Sequence, residues 1–278
     1  MIRAAALVGM TAIWGWTFVV VKDAIASYPI VPFLALRFGL AALVLLPFSR
    51  HLTRETWRAG VVIGLFLAAG YLFQTLGLAR TRASDAGLVT GSLVVITPIL
   101  DRLGFGTAPS RGAIAGVALA AVGLVLLVAG QPIEIGAGDL IVAVGAVAFA
   151  AQIVALSQLS ARHDPIALTM VQVSVAFATF VALWLVLRDP LVVPSTDAAI
   201  AIGITGILAT SLGFFLQTWA QRRLAATPTA IVLATEPAWA TLFGILLAGD
   251  AFPALRALGA ALLLAAPLLA TIEAGWRR

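Results

Sequence analysis

The sequence predicts an all-α integral membrane protein of ten transmembrane helices, arranged as a 5+5 inverted-topology repeat. Three observations carry this. The 278 residues are 62% hydrophobic and only 10% charged, with mean hydropathy +1.09, against roughly 45–50% apolar and about 25% charged for a soluble domain. Apolar runs recur at the length needed to cross a bilayer, roughly 20 residues. The second half of the chain repeats landmarks of the first.

The spans are read at about 4–22, 30–48, 59–78, 86–103, 112–129, 139–160, 165–187, 198–219, 228–247 and 254–273. Turn chemistry separates several of them, at Gly130-Gln131-Pro132, His163-Asp164-Pro165, Asp189-Pro190 and Gly249-Asp250. No linker has the length of a soluble domain. Arg3 ahead of an apolar run and Ala24-Ile25-Ala26 behind it imitate a signal peptide. Lys22-Asp23 interrupts that pattern and nine spans follow, so span 1 is read as a retained helix.

Basic residues orient the chain. With a cytoplasmic N-terminus the inner side holds Arg3, Arg50, Arg54, Arg58, Arg102, Arg111, Arg162, Arg222, Arg223, Arg277 and Arg278, eleven in all. The outer side holds five, Lys22, Arg80, Arg82, Arg188 and Arg256. Both termini inside is the consistent solution, in an inner membrane. The net charge of +5 comes from these scattered loop residues and forms no basic stripe, so nucleic acid is not an expected partner. Cysteine is absent, which excludes disulfides and thiolate chemistry.

The repeat divides the chain into 1–130 and 131–278. Tyr71-Leu72-Phe73-Gln74-Thr75 matches Phe214-Phe215-Leu216-Gln217-Thr218, and a hydroxyl residue, Ser84 or Thr227, follows each glutamine by ten residues. Five spans followed by five necessarily have opposite topology. The centre of the second half is Ala230–Leu247, an apolar run carrying Glu236 and Pro237. A carboxylate in hydrocarbon costs several kcal/mol, and a proline loosens the helix beside it. The first half answers with Thr97-Pro98 in the run 86–103, four residues further along. Proline-broken helices in corresponding halves point to a transporter's midplane site, with Pro98 and Pro237 as its hinges.

Ile13-Trp14-Gly15-Trp16-Thr17-Phe18, Ala35-Leu36-Arg37-Phe38, and Thr235-Glu236-Pro237 ahead of Pro253 resemble the EamA-type members of the drug/metabolite transporter superfamily over nearly the whole chain. That resemblance implies a bundle in which helices 1–4 and 6–9 surround a central cavity while helices 5 and 10 lie to one side. It implies export of small metabolites, amino acids among them. One departure is Thr97 where the second half has Glu236, which makes the site asymmetric.

The candidate substrate-binding residues are Trp14, Arg37, Tyr71, Gln74, Gln152, Gln217, Glu236 and Trp239. Glu236 is the one acidic residue deep in a span. It reads either as a proton-coupling group or ammonium partner, or as a protonated carboxyl bonded to a neighbouring helix. Trp239, three residues on, would share its face, and an aromatic ring beside a carboxylate suits an amine. Arg37 lies about seven residues into span 2, either snorkelling outward or pairing with Glu236 or a substrate carboxylate. Trp14 and Trp16 flank Gly15 on opposite sides, so at least one is expected to face the cavity. Lys22 reads as an interface anchor. Tyr71, Gln74, Gln152, Gln172 and Gln217 read as pore-lining groups or as interhelical hydrogen bonders. Small-residue spacing in spans 5 and 10 suggests packing surfaces or a homodimer through them.

Enzymatic chemistry is not expected. The histidines, His51 and His163, fall in loops, no HExxH, GxSxG or GxxxxGK[ST] pattern occurs, and no cofactor or carboxylate metal cluster is implied. The favoured reading is an alternating-access exporter of amino acids or amines. Its alternatives are a carrier of phosphorylated or lipid-linked sugars and a non-transporting structural or regulatory subunit.

Overall fold

A computed structural model describes residues 2–129, 135–190, 192–248 and 254–273, of which 244–248 and 270–273 are described by backbone alone. The turns at Gly130-Gln131-Pro132 and Gly249-Asp250, Pro253, and the terminal Arg277 and Arg278 lie outside the described residues, as does the expected boundary between the halves at 130/131.

Among the described residues every regular element is helical. The first half contains α1 (Ile2–Ser27), α2 (Ile30–Leu45), α3 (Arg54–Leu78), α4 (Ala83–Gly91), α5 (Leu93–Phe105) and α6 (Arg111–Val128). The second contains α7 (Ala137–Leu159), α8 (Pro165–Leu187), α9 (Thr196–Ile204), α10 (Gly213–Gln221), α11 (Ala226–Leu233), α12 (Glu236–Ala248) and α13 (Ala254–Glu273). A π-helical stretch, Thr205–Leu212, joins α9 to α10. Short 3₁₀ turns end α2 and α7. Eight helical rods, counting α4–α5 and α9–α10 as one each, are long and apolar enough to cross a membrane, and Ala254–Leu269 is a shorter apolar helix. The run expected as span 9 is split into α11 and α12, 8 and 13 residues long. Neither reaches the roughly 20 residues of a full crossing alone.

Local chemistry sets the ends. Thr53, Ser110, Asp164 and Ser195 each accept from the backbone N–H three residues on, capping α3, α6, α8 and α9. Pro165 occupies the first position of α8, where its missing donor is harmless. Gly106 ends α5 at φ 68°, a conformation open to a residue without Cβ. Helix α1 runs unbroken through Ala24-Ile25-Ala26 to Ser27, with Ala24 buried.

No hydrophobic force drives helices together in lipid, so close packing of small residues does the work. Helix α3 lies along α7 and α8. A Cβ on Gly77 would stand 2.5 Å from the Gly138 carbonyl oxygen, and one on Gly64 would stand 2.7 Å from that of Gln172. Helices α6 and α13 pack on one another at Gly123 and Gly259, each within 2.9 Å of the other's carbonyl oxygen by the same measure. Together with α5, α11 and α12 they form a smaller core set apart from the main one. The contact at Gly123 and Gly259 is thus one between helices of the same chain, the packing role expected of small residues in these two spans.

Helix α1 touches α12 at Gly15, whose Cβ would meet the Glu236 carbonyl oxygen at 2.8 Å, whereas a Cβ on Gly9 would meet nothing within 4 Å. Gly15→Ala is expected to lower the melting temperature in detergent. Gly9→Ala, which removes about 0.5–1 kcal/mol of helix penalty, is expected to leave it unchanged or raise it. Equal shifts from the two substitutions would contradict this packing.

Candidate functional site

Three features of the bundle centre define a site: two interrupted helices that cross, a cavity between them, and two ionisable groups facing it.

The interruptions fall at Ser92, between α4 and α5, and at Ala234-Thr235, between α11 and α12. They meet in space: a Cβ on Gly91 would stand 3.1 Å from Pro237 Cγ. Thr235 is anchored to α1 through Thr11 Oγ1 at 2.8 Å and donates to the Val232 carbonyl. Pro237, in the first turn of α12, needs no helical donor. A hinge is expected at Pro98, but no helix break falls there. Helix α5 continues through Pro98, and the first-half interruption lies six residues earlier, where Ser92 Oγ donates to the Val89 carbonyl. Ser92 and Thr235 stand 143 positions apart, as do Gln74 and Gln217. The glutamines therefore give the register of the breaks and the prolines do not. In that register Leu93, not Thr97, occupies the place of Glu236. Thr97 is buried and donates to Leu93 O.

The cavity measures about 60 Å³, room for roughly four waters at about 15 Å³ each. Its wall includes Trp14, Arg37, Tyr71, Gln74, Gln152, Gln217 and Glu236, seven of the eight residues expected there. Trp14, 8% exposed, faces inward and donates through Nε1 to the Ala209 carbonyl at 2.8 Å, while Trp16 points outward at 36%. Trp239 is the exception. Its Cβ lies against Gly15 at the α1–α12 crossing, and its indole nitrogen is buried without a hydrogen-bond partner among the described residues. Three residues along a helix turn it about 60° away from Glu236, which is enough to take it off the wall.

Arg37 does not snorkel. It is 2% exposed, with Nε donating to Thr210 Oγ1 at 2.9 Å and Nη2 to the Tyr71 hydroxyl at 3.1 Å. Its guanidinium carbon lies 4.5 Å from the Tyr71 ring centroid. Among the described residues it forms no ion pair, with Glu236 or any other carboxylate, and the Glu236 carboxyl makes no hydrogen bond. Two ionisable groups of opposite kind thus border one small cavity without pairing with each other.

Sequence reasoning missed the aromatic wall contributed by Phe149 and Phe214, which pack against Tyr71 at centroid distances of 5.2 and 5.9 Å. The signal for Phe214 was present, since it aligns with Tyr71 in the repeated glutamine motif. Also missed was Thr210, which the π stretch presents to Arg37. In that stretch Ser211 Oγ bonds the Gly206 carbonyl, five residues back, at 2.9 Å.

Below the cavity runs a chain of amides. Gln221 accepts from Gln217, which also donates to Gln152. Gln152 in turn donates to Gln172, and Gln172 donates to Thr218, at 3.0–3.2 Å throughout. Gln152 and Gln217 are therefore wall groups and interhelical hydrogen bonders at once. Gln74 donates to Thr90 at 3.0 Å. At the opposite end Lys22 reaches across to the carbonyls of Leu78 and Thr81, tying α1 to the α3–α4 turn.

A sequence model of the EamA-like transporter family matches residues 2–129 and again 136–272. A relative from Archaeoglobus fulgidus, described as an uncharacterized transporter, is 32% identical over 263 residues, covering 94% of this chain and 83% of its own. A crystal structure at 22% sequence identity superposes with TM-score 0.76 over 97% of both chains, a likeness of fold. With apolar helices of membrane-crossing length and a family match along nearly its full extent, this multi-pass membrane transporter belongs to the EamA-like family of the drug/metabolite transporter superfamily.

Proposed function

We propose that the chain is a secondary transporter of the inner membrane, both termini cytoplasmic, exporting small metabolites such as amino acids or amines by alternating access. The observation that carries this is the pair of ionisable groups, Arg37 and Glu236, on one cavity inside a bundle with no ion pair between them among the described residues. Buried ions without partners are expensive. A zwitterionic substrate offers each its counterpart, carboxylate to guanidinium and ammonium to carboxyl. The cavity volume suits a small solute. Among the described residues Arg37 is the one cationic side chain on its wall, whereas a phosphorylated sugar would call for several.

The 5+5 inverted repeat, with units 1–130 and 131–278, is supported by register. Positions 135 apart pair Trp14 with Phe149, Thr17 with Gln152 and Phe18 with Ile153. Positions 143 apart pair Tyr71 with Phe214, Gln74 with Gln217, Thr90 with Leu233 and Leu93 with Glu236. Every one of these residues is on the cavity wall. Contacts obey the same exchange: α4 touches α12 as α11 touches α5, and α5 touches α7 as α12 touches α1. The two matches of the family model, 2–129 and 136–272, lie on either side of that division and support the reading.

Four wall residues have mates that are off the wall, namely Val21, Arg37, Thr75 and Leu78. All four are in the first half, and three lie toward the end where α1 and α3 finish. The mates of Arg37, Thr75 and Leu78 are Gln172, Thr218 and Gln221, held in the amide chain. Alternating access in this reading exchanges the two sets: the amide chain parts as the Val21–Leu78 end closes, with the interruptions at Ser92 and Thr235 as flexible points.

Uptake and efflux of a panel of amino acids and amines in proteoliposomes, with and without a pH gradient, tests the proposal. Saturable movement of at least one member is expected. If no member moves, while a phosphorylated sugar does, the small-metabolite reading is wrong.

A further inference from the structure

A second cavity lies outside the transport site, on the face where α2, α8 and α9 meet, with a volume of about 1210 Å³. It exceeds the roughly 300–1,000 Å³ of pockets for drug-sized ligands, and its wall is predominantly apolar. Small residues give it depth, notably Ala35 and Gly39 on α2 and Gly203 on α9, and a Cβ on Gly203 would meet nothing within 4 Å. The groove runs along α8 from Met170 to the end of the helix. Such a shape suits an acyl chain lying between two helices.

Its mouth is not apolar. Helix α8 ends at Arg188 with φ 57°, the one non-glycine residue of positive φ among the described residues. Glycine is the usual occupant of that position, since a Cβ there carries strain. The turn sets Arg188 and Asp189 side by side on the groove's rim, and Trp184 Nε1 fixes it by donating to the Asp189 carbonyl at 2.8 Å. The two side chains carry opposite charges, yet among the described residues neither forms an ion pair or a side-chain hydrogen bond. An adjacent free cation and free anion at the end of a membrane helix complement a zwitterion, not an anion.

We propose that this groove binds a phospholipid whose headgroup bears a phosphate and a primary ammonium, a phosphatidylethanolamine. The phosphate meets Arg188, the ammonium meets Asp189, and an acyl chain fills the channel between α2 and α8. A quaternary ammonium meets Asp189 by charge without a hydrogen bond, and a glycerol headgroup by a hydroxyl hydrogen bond without a positive charge, so only the primary ammonium of phosphatidylethanolamine offers Asp189 a charge-assisted hydrogen bond.

The test is native mass spectrometry of the full-length protein in detergent with equal amounts of the three phospholipids in matched acyl chains. Phosphatidylethanolamine is expected to be retained about fivefold over the others, the effect of one or two exposed charge contacts. Arg188→Ala and Asp189→Asn should each level the three. Gly203→Leu, which fills the groove from a position with open space, should reduce retention of all of them. Should that variant not fold, the two rim substitutions decide alone. Equal retention of the three headgroups by the unaltered protein, or a preference that survives both rim substitutions, would overturn the proposal. So would a lipid-free dimer that Gly203→Leu disrupts, which would assign the groove to a second copy of the chain.

Discussion

Replacing Glu236 by glutamine is expected to abolish uphill transport driven by a proton gradient while leaving the protein folded. The substitution is nearly isosteric and breaks no hydrogen bond, since the Glu236 carboxyl makes none among the described residues. An amide, however, cannot take up and release a proton. Proteoliposomes loaded against a pH gradient should lose gradient-driven accumulation by roughly a factor of 100, the low end of what a positioned proton-transfer group contributes. Exchange of substrate across the membrane without a gradient separates the two roles open to this residue. If exchange persists, Glu236 carries the proton. If exchange is lost as well, it holds the substrate's ammonium. Full, pH-dependent uphill transport by the variant would remove Glu236 from the mechanism.

Arg37→Met is expected to do two opposite things at once. The guanidinium is 2% exposed and faces two neutral hydroxyls, with no carboxylate among the described residues to compensate its desolvation. Methionine of similar length removes that penalty. It strands no donor, because Thr210 and Tyr71 accept from Arg37 and keep their own protons to give. Replacing buried ion pairs by packed apolar side chains leaves other proteins unchanged or stabilises them by about 1–4 kcal/mol. Removing one uncompensated charge is expected to act in the same direction, and about 1 kcal/mol raises the melting temperature by roughly 2–4 °C in a chain of this order of length. Transport of carboxylate-bearing substrates should meanwhile fall by roughly 100-fold, since a charge-assisted pair in a closed site is lost. A thermal-shift measurement alongside the transport assay reads both effects. A variant that melts lower than the parent would mean that Arg37 holds the bundle together and is structural. Arg37→Lys should recover little, because a point charge cannot reach both hydroxyls as the planar fork does.

Much of this was legible before any coordinates. Hydropathy alone marks the apolar rods, and the turns at His163-Asp164-Pro165 and Asp189-Pro190 fall at the two ends of α8. Glu236 and Arg37 stand out because charge inside hydrocarbon is rare. Seven wall residues follow from the same logic, since polar groups in a span must face the protein interior. Three things were not legible. The break at Ser92 carries no proline, and Pro98 drew attention although α5 absorbs it. Trp239 was assigned by helical spacing without knowing that Gly15 opens a place for it on α1. Small-residue spacing in α6 and α13 leaves packing surface and homodimer interface both open, and it does not tell that Gly123 and Gly259 meet within the chain. Each failure concerns what lies opposite a residue, and that is a property of the packing between helices.

The π-helical stretch Thr205–Leu212 has a numerical consequence. The N-caps Thr53 and Ser195 stand 142 positions apart, yet Gln74 and Gln217, further along the same pair of rods, stand 143 apart. Between those landmarks the second rod holds one more residue than the first, and a π-turn is how an α-helix houses a single surplus residue. Had the surplus been wound as ordinary α-helix, everything before it would be rotated by about 100° relative to everything after it. Thr210 and the Ala209 carbonyl, which hold Arg37 and Trp14, sit on that surplus turn. An apparent insertion has thus become the anchorage of one half's charge by the other half's helix.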